Sequence, residues 1–422
     1  MRVAHGALLN LAGHAAPLAA ALFAMPLLVV SLGTERFGFL ALAWALVGYF
    51  SLFDLGLGRA LARLAAERLG TPREAALPAL SRTALGLSLA LGTVAGVLVF
   101  AAAEWICARL LKLSPGLIDE AIMALRILAM CLPLVTLTAA LRGLLEAGKF
   151  FGWVNAIRVP LGILTFAGPL AVAASTLHLA ALCGALAVLR VASLAAHWVA
   201  CAALMPSLSR LGAPQPGALR EMLGYGAWIT VSNVVGPVMV YVDRFVIASL
   251  LSISAVAYYT APYEILTRLW ILPAALTGAL FPALASAAPG EARTLHRKGV
   301  LVILATAVPV ALIAALLAPQ WLLLWLGEDY AARGARAAQW LALGVAANCL
   351  AYLPFTLLQA RGRADLTGKL HLFELPLYLA LLLALVSRNG IEGAAIAWFA
   401  RCAIDAILLY ALAARHLRKE GA

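Results

Sequence analysis

Charge is scarce in this chain. Asp, Glu, Lys and Arg make up 12% of its 422 residues, while 64% are hydrophobic. A soluble protein carries about 25% charged and about 45–50% apolar residues. A globule must cover its surface with polar groups, so a shortage this deep excludes a water-soluble fold. Acids are scarcer than bases, 19 against 31, and the net charge is +12. No basic domain and no aromatic-plus-basic patch lies outside the apolar blocks, so the excess does not point to nucleic acid. Lys and Arg gather instead in the cytoplasmic loops of membrane proteins. Only six cysteines occur, Cys107, Cys131, Cys183, Cys201, Cys349 and Cys402. None has CxxC or Cys/His spacing, which excludes a disulfide framework or a zinc site and leaves small apolar packing residues. Segments of about 10 residues with alternating polarity, the mark of a transmembrane β-barrel, are absent. The seven histidines stand far apart and form no catalytic constellation with the acids.

What the chain does have is apolar blocks about 20 residues long or longer, each able to cross about 30 Å of hydrocarbon as a helix. Twelve are expected, at 7–33, 37–62, 83–106, 118–141, 151–174, 178–204, 219–249, 254–284, 299–319, 336–359, 369–387 and 391–414. The first is too long for a signal peptide and is read as an uncleaved helix. Arg and Lys cluster in one set of loops: Arg63, Arg68, Arg73 and Arg82; Arg142 and Lys149; Arg210 and Arg220; Arg293, Arg297 and Lys298; Arg361, Arg363 and Lys369. The positive-inside rule places those loops and both termini in the cytoplasm.

The Pro-, Gly- and Ser-rich stretch PSLSRLGAPQPGAL near mid-chain divides the sequence into a six-helix bundle at 1–205, a cytoplasmic linker at 206–218 and a second six-helix bundle at 219–422. Segment four ends LLEAGKF and segment ten ends LLQARGR. Pro17 corresponds to Pro237 and Pro160 to Pro376, at nearly constant spacing. An even number of helices per half inserts both halves the same way up, so a parallel repeat around a central cavity is expected. Pro17 and Pro26 in segment one, and VVGPV in segment seven, are expected to interrupt corresponding helices. Such interruptions mark bending gates in transporters.

Residues Gly143–Lys149, GLLEAGK, match most of a phosphate-loop pattern, but Phe150 replaces the Ser or Thr and a membrane helix precedes it. That motif needs a strand before it and a helix after it, so a helix C-cap at Gly148 is the expected reading. The informative residues are charges inside the spans. Each costs about 2.5–3.5 kcal/mol at a helix centre on insertion scales, so it usually faces a partner or a cavity. Glu264 and Arg268 stand four apart and can pair along one helix; so do Arg401 and Asp405. Arg126, Arg142, Arg158 and Glu374 lie near helix ends, where the three arginines can snorkel. Arg190 has no acid within a helical turn and needs a partner on another helix, water or a ligand. Asp243 and Arg244 are neighbours and point about 100° apart. Each needs a partner elsewhere, and Glu264 and Arg268 across the next turn are candidates, as a lock between helices or part of a wet cleft.

Three stretches carry a family resemblance: FGFLALAWALVGYFSLFDLGLGRALARLAAE at Phe37–Glu67, LRGLLEAGKFFGWVNAIRVPLG at Leu141–Gly162, and Tyr241–Ala285, which opens YVDRFVIASLL. They resemble the Wzx-type polysaccharide flippases, the O-antigen and capsule exporters of the multidrug/oligosaccharidyl-lipid/polysaccharide exporter superfamily. The resemblance implies an all-α integral membrane protein with about 12 helices in two bundles around a partly cationic cavity. It implies undecaprenyl-diphosphate-linked oligosaccharide as cargo, moved across a bacterial inner membrane by alternating access, with H+ or Na+ as a coupling ion and no other cofactor. Expected partners are the lipid-linked oligosaccharide, membrane lipids and other polysaccharide-assembly proteins. A diphosphate needs Arg or Lys in a low-dielectric cleft, which makes Arg190, Arg244, Arg268 and Arg401 the candidate cargo-binding residues. Asp54 and Arg59 are candidates for an inner gate, and Asp243 and Glu264 for the coupling ion. The alternatives are a cation-coupled multidrug or metabolite exporter of the same architecture, whose cleft should favour acids over bases, and a membrane enzyme of polysaccharide assembly, which the short outer loops disfavour.

Overall fold

The structure, a computed structural model, describes residues 2–49, 57–205 and 227–420. No strand occurs among them. In chain order the first helices are α1 (Arg2–Tyr49), α2 (Leu57–Arg68), α3 (Leu77–Trp105), α4 (Ile118–Met130), α5 (Leu132–Ala147), α6 (Phe151–Ala173) and α7 (Leu179–Leu204). Then follow α8 (Ala227–Leu250), α9 (Ile253–Leu266), a 3-10 turn at Thr267–Trp270, α10 (Ile271–Ser286) and α11 (Pro289–Ala305). The last are α12 (Ala307–Leu316), α13 (Ala318–Leu326), α14 (Glu328–Ala360) and α15 (Ala364–Glu420). Nine stretches among the described residues are long and apolar enough to cross a membrane. Two of them, Ala16–Val47 and Ala364–Lys419, each carry two of the twelve expected segments, and α8 supplies the remaining one.

Glycine explains the two mergers. At Gly33 φ is 71°, and at Gly390 φ is 59° with ψ −139°. A side chain at such angles meets backbone, so only glycine adopts them readily. The helix therefore reverses at one residue with no loop. At Gly390 the reversal is visible in the contacts: His371 Nε2 lies 3.7 Å from Asp405 Oδ1, a pair that straddles the turn. At the N-terminal end, Pro17 packs on Gly162 of α6 and Trp44 donates to the Thr165 carbonyl at 3.2 Å on the same helix. Residues on either side of Gly33 thus meet one level of α6, as the arms of a hairpin must. Gly390→Ala is expected to cost about 1–3 kcal/mol, the usual range for a residue held in a disfavoured backbone region. Thermal unfolding of the purified protein measures it.

The proline expectation needs correction. α8 runs unbroken through Gly236 and Pro237, and α1 through Pro17 and Pro26, with its break at Gly33. In hydrocarbon, neighbouring helices and local adjustments satisfy the backbone groups a proline frees. Segment four does break, between α4 and α5 at Cys131, just before Pro133, which has no N–H to continue the ladder. α5 ends at Gly148 as expected of a cap, although Lys149 takes the positive φ of 60°.

The chain forms two compact units, Ala4–Val238 and Met239–Ala422. The mid-chain linker at 206–218 lies outside the described residues. In the N-terminal unit, Leu57, Leu61 and Leu64 of α2 pack with Leu80 and Leu85 of α3, Leu141, Leu144 and Leu145 of α5, and Cys201 of α7. In the C-terminal unit, Leu284, Ala292, Leu357, Leu358, Leu409 and Leu417 form the corresponding core. Lipid tails are as apolar as leucine, so helix association rests on close packing and interhelical hydrogen bonds. Alanine accordingly dominates the buried residues, and Thr136 of α5 donates to the Ser88 carbonyl of α3 at 2.8 Å. Large apolar residues point outward instead, with Phe23 78% and Leu324 87% exposed, as lipid-facing residues should be. All six cysteines are buried and free, which fits their reading as packing residues.

Candidate functional site

The C-terminal unit gathers most of the candidate charges. α8 places Asp243 and Arg244 in its C-terminal half, both fully buried. Arg244 Nη2 donates to Glu264 Oε1 of α9 at 2.9 Å, and Arg268 Nη2 reaches Glu264 Oε2 at 3.4 Å. Glu264 therefore bridges two guanidinium groups across the α8–α9 turn. Asp243 faces the other way. Its Oδ1 accepts the Arg244 backbone N–H at 2.7 Å, and its Oδ2 accepts the Tyr259 hydroxyl at 2.5 Å. The expected four-charge network is thus a three-charge chain beside a separate Asp–Tyr pair. Neighbours 100° apart on a helix cannot share one partner.

Aromatic rings complete this cluster. The Arg244 guanidinium sits 4.6 Å from the centre of the Tyr263 ring and 4.9 Å from that of Tyr241. Tyr263 meets Trp398 edge-on at 5.2 Å, and Trp398 lies 6.4 Å from Trp270. Arg244 Nε and Nη1 have no hydrogen-bond partner among the described residues. The ring faces supply the attraction those groups lack, which matters most where water is excluded.

A second cluster lies in the α15 hairpin. Arg401 and Asp405 stand on one arm, His371, Glu374 and Tyr378 on the other. The expected intrahelical pair of Arg401 and Asp405 does not form. Asp405 lies 3.7 Å from His371, and Arg401 ion-pairs with no acid among the described residues. The order is base first, the weaker orientation for a pair four apart on a helix. A cleft lined by Glu374, Leu377, Tyr378, Leu381, Arg401 and Ile404 opens beside this cluster.

The N-terminal unit holds Arg190 on α7, half-buried, with its Nε unpartnered. It ion-pairs with no acid among the described residues. Arg126 sits 5.2 Å over the Phe100 ring. Arg36 pairs with Glu120 at 2.9 Å, and Glu120 also accepts the Leu179 N–H at 3.1 Å, tying α1, α4 and α7 together. Arg59 is exposed on α2. Asp54 lies outside the described residues.

The structure therefore joins Arg244, Glu264 and Arg268 directly, sets Asp243 beside them, places Arg401 in a second cluster of the same unit, and puts Arg190 in the other unit. Sequence reasoning missed His371, Glu374 and the tyrosines Tyr259, Tyr263 and Tyr378. The signal for the first two was present: they are three apart, hence on one helix face, and α15 begins early enough to carry both well inside.

Long apolar helices with titratable side chains fixed in their interior define a multi-pass membrane protein. Its fold is similar to the inward-facing conformation of a multidrug resistance MATE family transporter of the MOP superfamily, with a TM-score of 0.79, 15% identity, and coverage of 98% of this chain and 99% of that one. The outward-facing conformation of such a transporter matches with a TM-score of 0.66 at 14% identity, over 97% and 96% of the two chains. A Shigella flexneri protein to which O-antigen transport is ascribed is 32% identical over 97% of each chain. Residues 3–288 match the polysaccharide biosynthesis protein family, and the chain belongs to that family. The resemblance read from Phe37–Glu67, Leu141–Gly162 and Tyr241–Ala285 therefore holds.

Proposed function

We propose that this protein moves undecaprenyl-diphosphate-linked oligosaccharide from the cytoplasmic to the outer leaflet of a bacterial inner membrane by alternating access. The observation that carries the reading is the near full-length match to the Shigella flexneri relative. Arg190 adds a physical reason. A half-buried guanidinium without an acid partner is a standing demand for an anion, and a diphosphate meets it with charge-assisted hydrogen bonds. Arg268 is the second candidate contact, because a third of its side chain stays exposed while it pairs with Glu264. Membrane lipids and other polysaccharide-assembly proteins are the remaining partners. The clustering of Lys and Arg in alternate loops supports cytoplasmic termini.

The test is complementation. A strain lacking its own O-antigen flippase should regain surface polysaccharide when it carries this gene, and should stop accumulating lipid-linked repeat units. No recovery, together with increased tolerance of cationic drugs, would instead favour the multidrug reading that the fold alone permits. Arg190→Ala is expected to lower translocation at least about tenfold at unchanged protein level, since a hydrogen bond to a charged group contributes about 1.5–3 kcal/mol. Proteoliposomes carrying a fluorescent lipid-linked oligosaccharide measure the rate.

A further inference from the structure

We propose that Glu374 and Asp405, with His371 beside them and Arg401 as fixed counter-charge, form a proton-binding site in the C-terminal unit, and that its one exchangeable proton is what drives the transport cycle. The coupling half of this statement rests on the transport reading above; the site itself does not.

The geometry comes first. One ligand atom each from His371, Glu374 and Asp405 lies within 4.8 Å of the others. Glu374 is 4% exposed, and neither of its carboxylate oxygens has a hydrogen-bond partner among the described residues. Asp405 Oδ1 has none either, and its nearest cation-forming neighbour is His371 at 3.7 Å. A buried carboxylate with neither oxygen partnered, beside a second with one bare oxygen, is costly with both ionised, and the usual resolution is that one of them takes a proton. Tyr378 gives an independent sign of an occupant: its hydroxyl is buried and unpartnered, and it lines the same cleft as Glu374 and Arg401.

Charge counting selects the proton. With both carboxylates ionised, Arg401 positive and His371 neutral, the site carries one excess negative charge inside the membrane. A single proton shared by Glu374 and Asp405 removes it, so the closed, dry site favours the protonated state and the open, wet site tolerates either. A metal ion fits poorly. Hard cations ask for six or more oxygen ligands, and imidazole is not among their preferred donors. A transition metal would place two or more positive charges against the Arg401 guanidinium.

The site sits among other titratable groups. On its own hairpin these are Tyr378 and Cys402, both near Arg401. From α8, Asp243 lies within Coulombic reach of Arg401. From α9, Tyr263 lies within such reach of Tyr378. From α14, Cys349 faces Cys402, and Phe355 stacks on His371 with ring centres 5.8 Å apart. From α11, His296 packs on Tyr410. None of these places a second basic side chain on Glu374. The proton enters along the cleft, which Glu374 lines, while His371, 3.7 Å from Asp405, can take a proton at one ring nitrogen and release one to Asp405 as the neutral imidazole is restored. Leu377, Leu381 and Ile404 shield the rest of the rim.

The experiment titrates the full chain in lipid nanodiscs by infrared difference spectroscopy, following the C=O stretch of a buried carboxylic acid. The wild type should show such a band that disappears as pH rises. Glu374→Gln and Asp405→Asn should each remove or shift it, whereas Glu291→Gln, an exposed acid on α11, should leave it in place. An unchanged band in both site variants overturns the proposal, and so does a band abolished by added Na+ or Zn2+ at constant pH. Size-exclusion elution selects folded material, and His371→Gln provides a third variant, expected to slow the titration without removing the band. Proteoliposomes with a pH gradient supply the second arm. Glu374→Gln should lose gradient-driven accumulation of lipid-linked oligosaccharide at least tenfold while passive exchange persists; full gradient-driven accumulation in that variant overturns the coupling. A wild type that shows the band yet translocates no lipid-linked oligosaccharide would refute the transport reading and leave the proton site standing.

Discussion

Arg244→Ala is expected to lower the stability of the protein by about 3–5 kcal/mol, the range seen when one partner of a buried ion pair is removed. The reason is local. Glu264 loses its 2.9 Å contact and keeps only the longer one to Arg268. Tyr241 and Tyr263 lose the cation between them, and the helices α8 and α9 lose the ion pair that joins them, keeping the Tyr259–Asp243 hydrogen bond. Yield, elution profile and thermal melting in detergent all report this loss. Arg244→Leu combined with Glu264→Gln should recover most of it, because replacing both members of a buried pair by groups with less need of a partner is often close to neutral. Transport should return along with stability in the double variant, since Arg244 is fully buried and does not reach a cargo in this conformation. Stability without transport would mean that Arg244 meets the cargo in another state of the cycle or that Glu264 carries the coupling ion, and one of the candidate roles first given to them would stand.

The same residues show how much of the molecule was legible in the sequence. Segment positions followed from hydropathy alone, because every span must satisfy its own backbone hydrogen bonds and so declares itself as a long apolar block. Segments five and six agree with α6 and α7 to within a residue or so. What hydropathy does not encode is how one span joins the next. At Gly33 and Gly390 the polar stretches Thr34–Arg36 and Ser387–Asn389 mark where the spans part, but they stay helical, and the turn itself is one glycine conformation rather than a loop. Prolines misled for a related reason: Pro237 looks like a break in one dimension, yet surrounding helices let α8 continue. The charges divide in the same way. The link from Arg244 to Glu264 was readable because neighbouring residues cannot pair and the next acid lies across a short turn. The Arg401–Asp405 pair was misread because spacing permits a contact without requiring it, and a residue on the opposite arm of the hairpin stood closer. Glu374 was taken for a helix-end residue because its buried surroundings come from tertiary packing, which spacing does not show.

Trp398 carries the other large expected effect. It is the largest fully buried side chain, and it holds Tyr263 and Trp270 in the aromatic cluster beside Arg244. Trp398→Ala should cost about 3–5 kcal/mol, the transfer term plus the cavity left behind. The loss should also spread, since Tyr263 without its edge-on neighbour holds the Arg244 guanidinium less firmly, so the effects of Trp398→Ala and Arg244→Ala should be non-additive. The neighbouring helix offers a sharper check. Gly344 of α14 lies so close to the Trp398 ring that a methyl group there would collide with it, and Phe399 Cα stands 3.3 Å from the same point. In the wild type Gly344→Ala should therefore destabilise by about 1–3 kcal/mol through overpacking. In the Trp398→Ala background the added methyl group enters the vacated space, and the same substitution should be neutral or stabilising. A change of sign between the two backgrounds, measured by thermal melting, identifies contact between α14 and the second arm of α15 as the cause. Equal effects in both would show that the glycine is needed for the helix itself, and that the close approach of Trp398 is incidental.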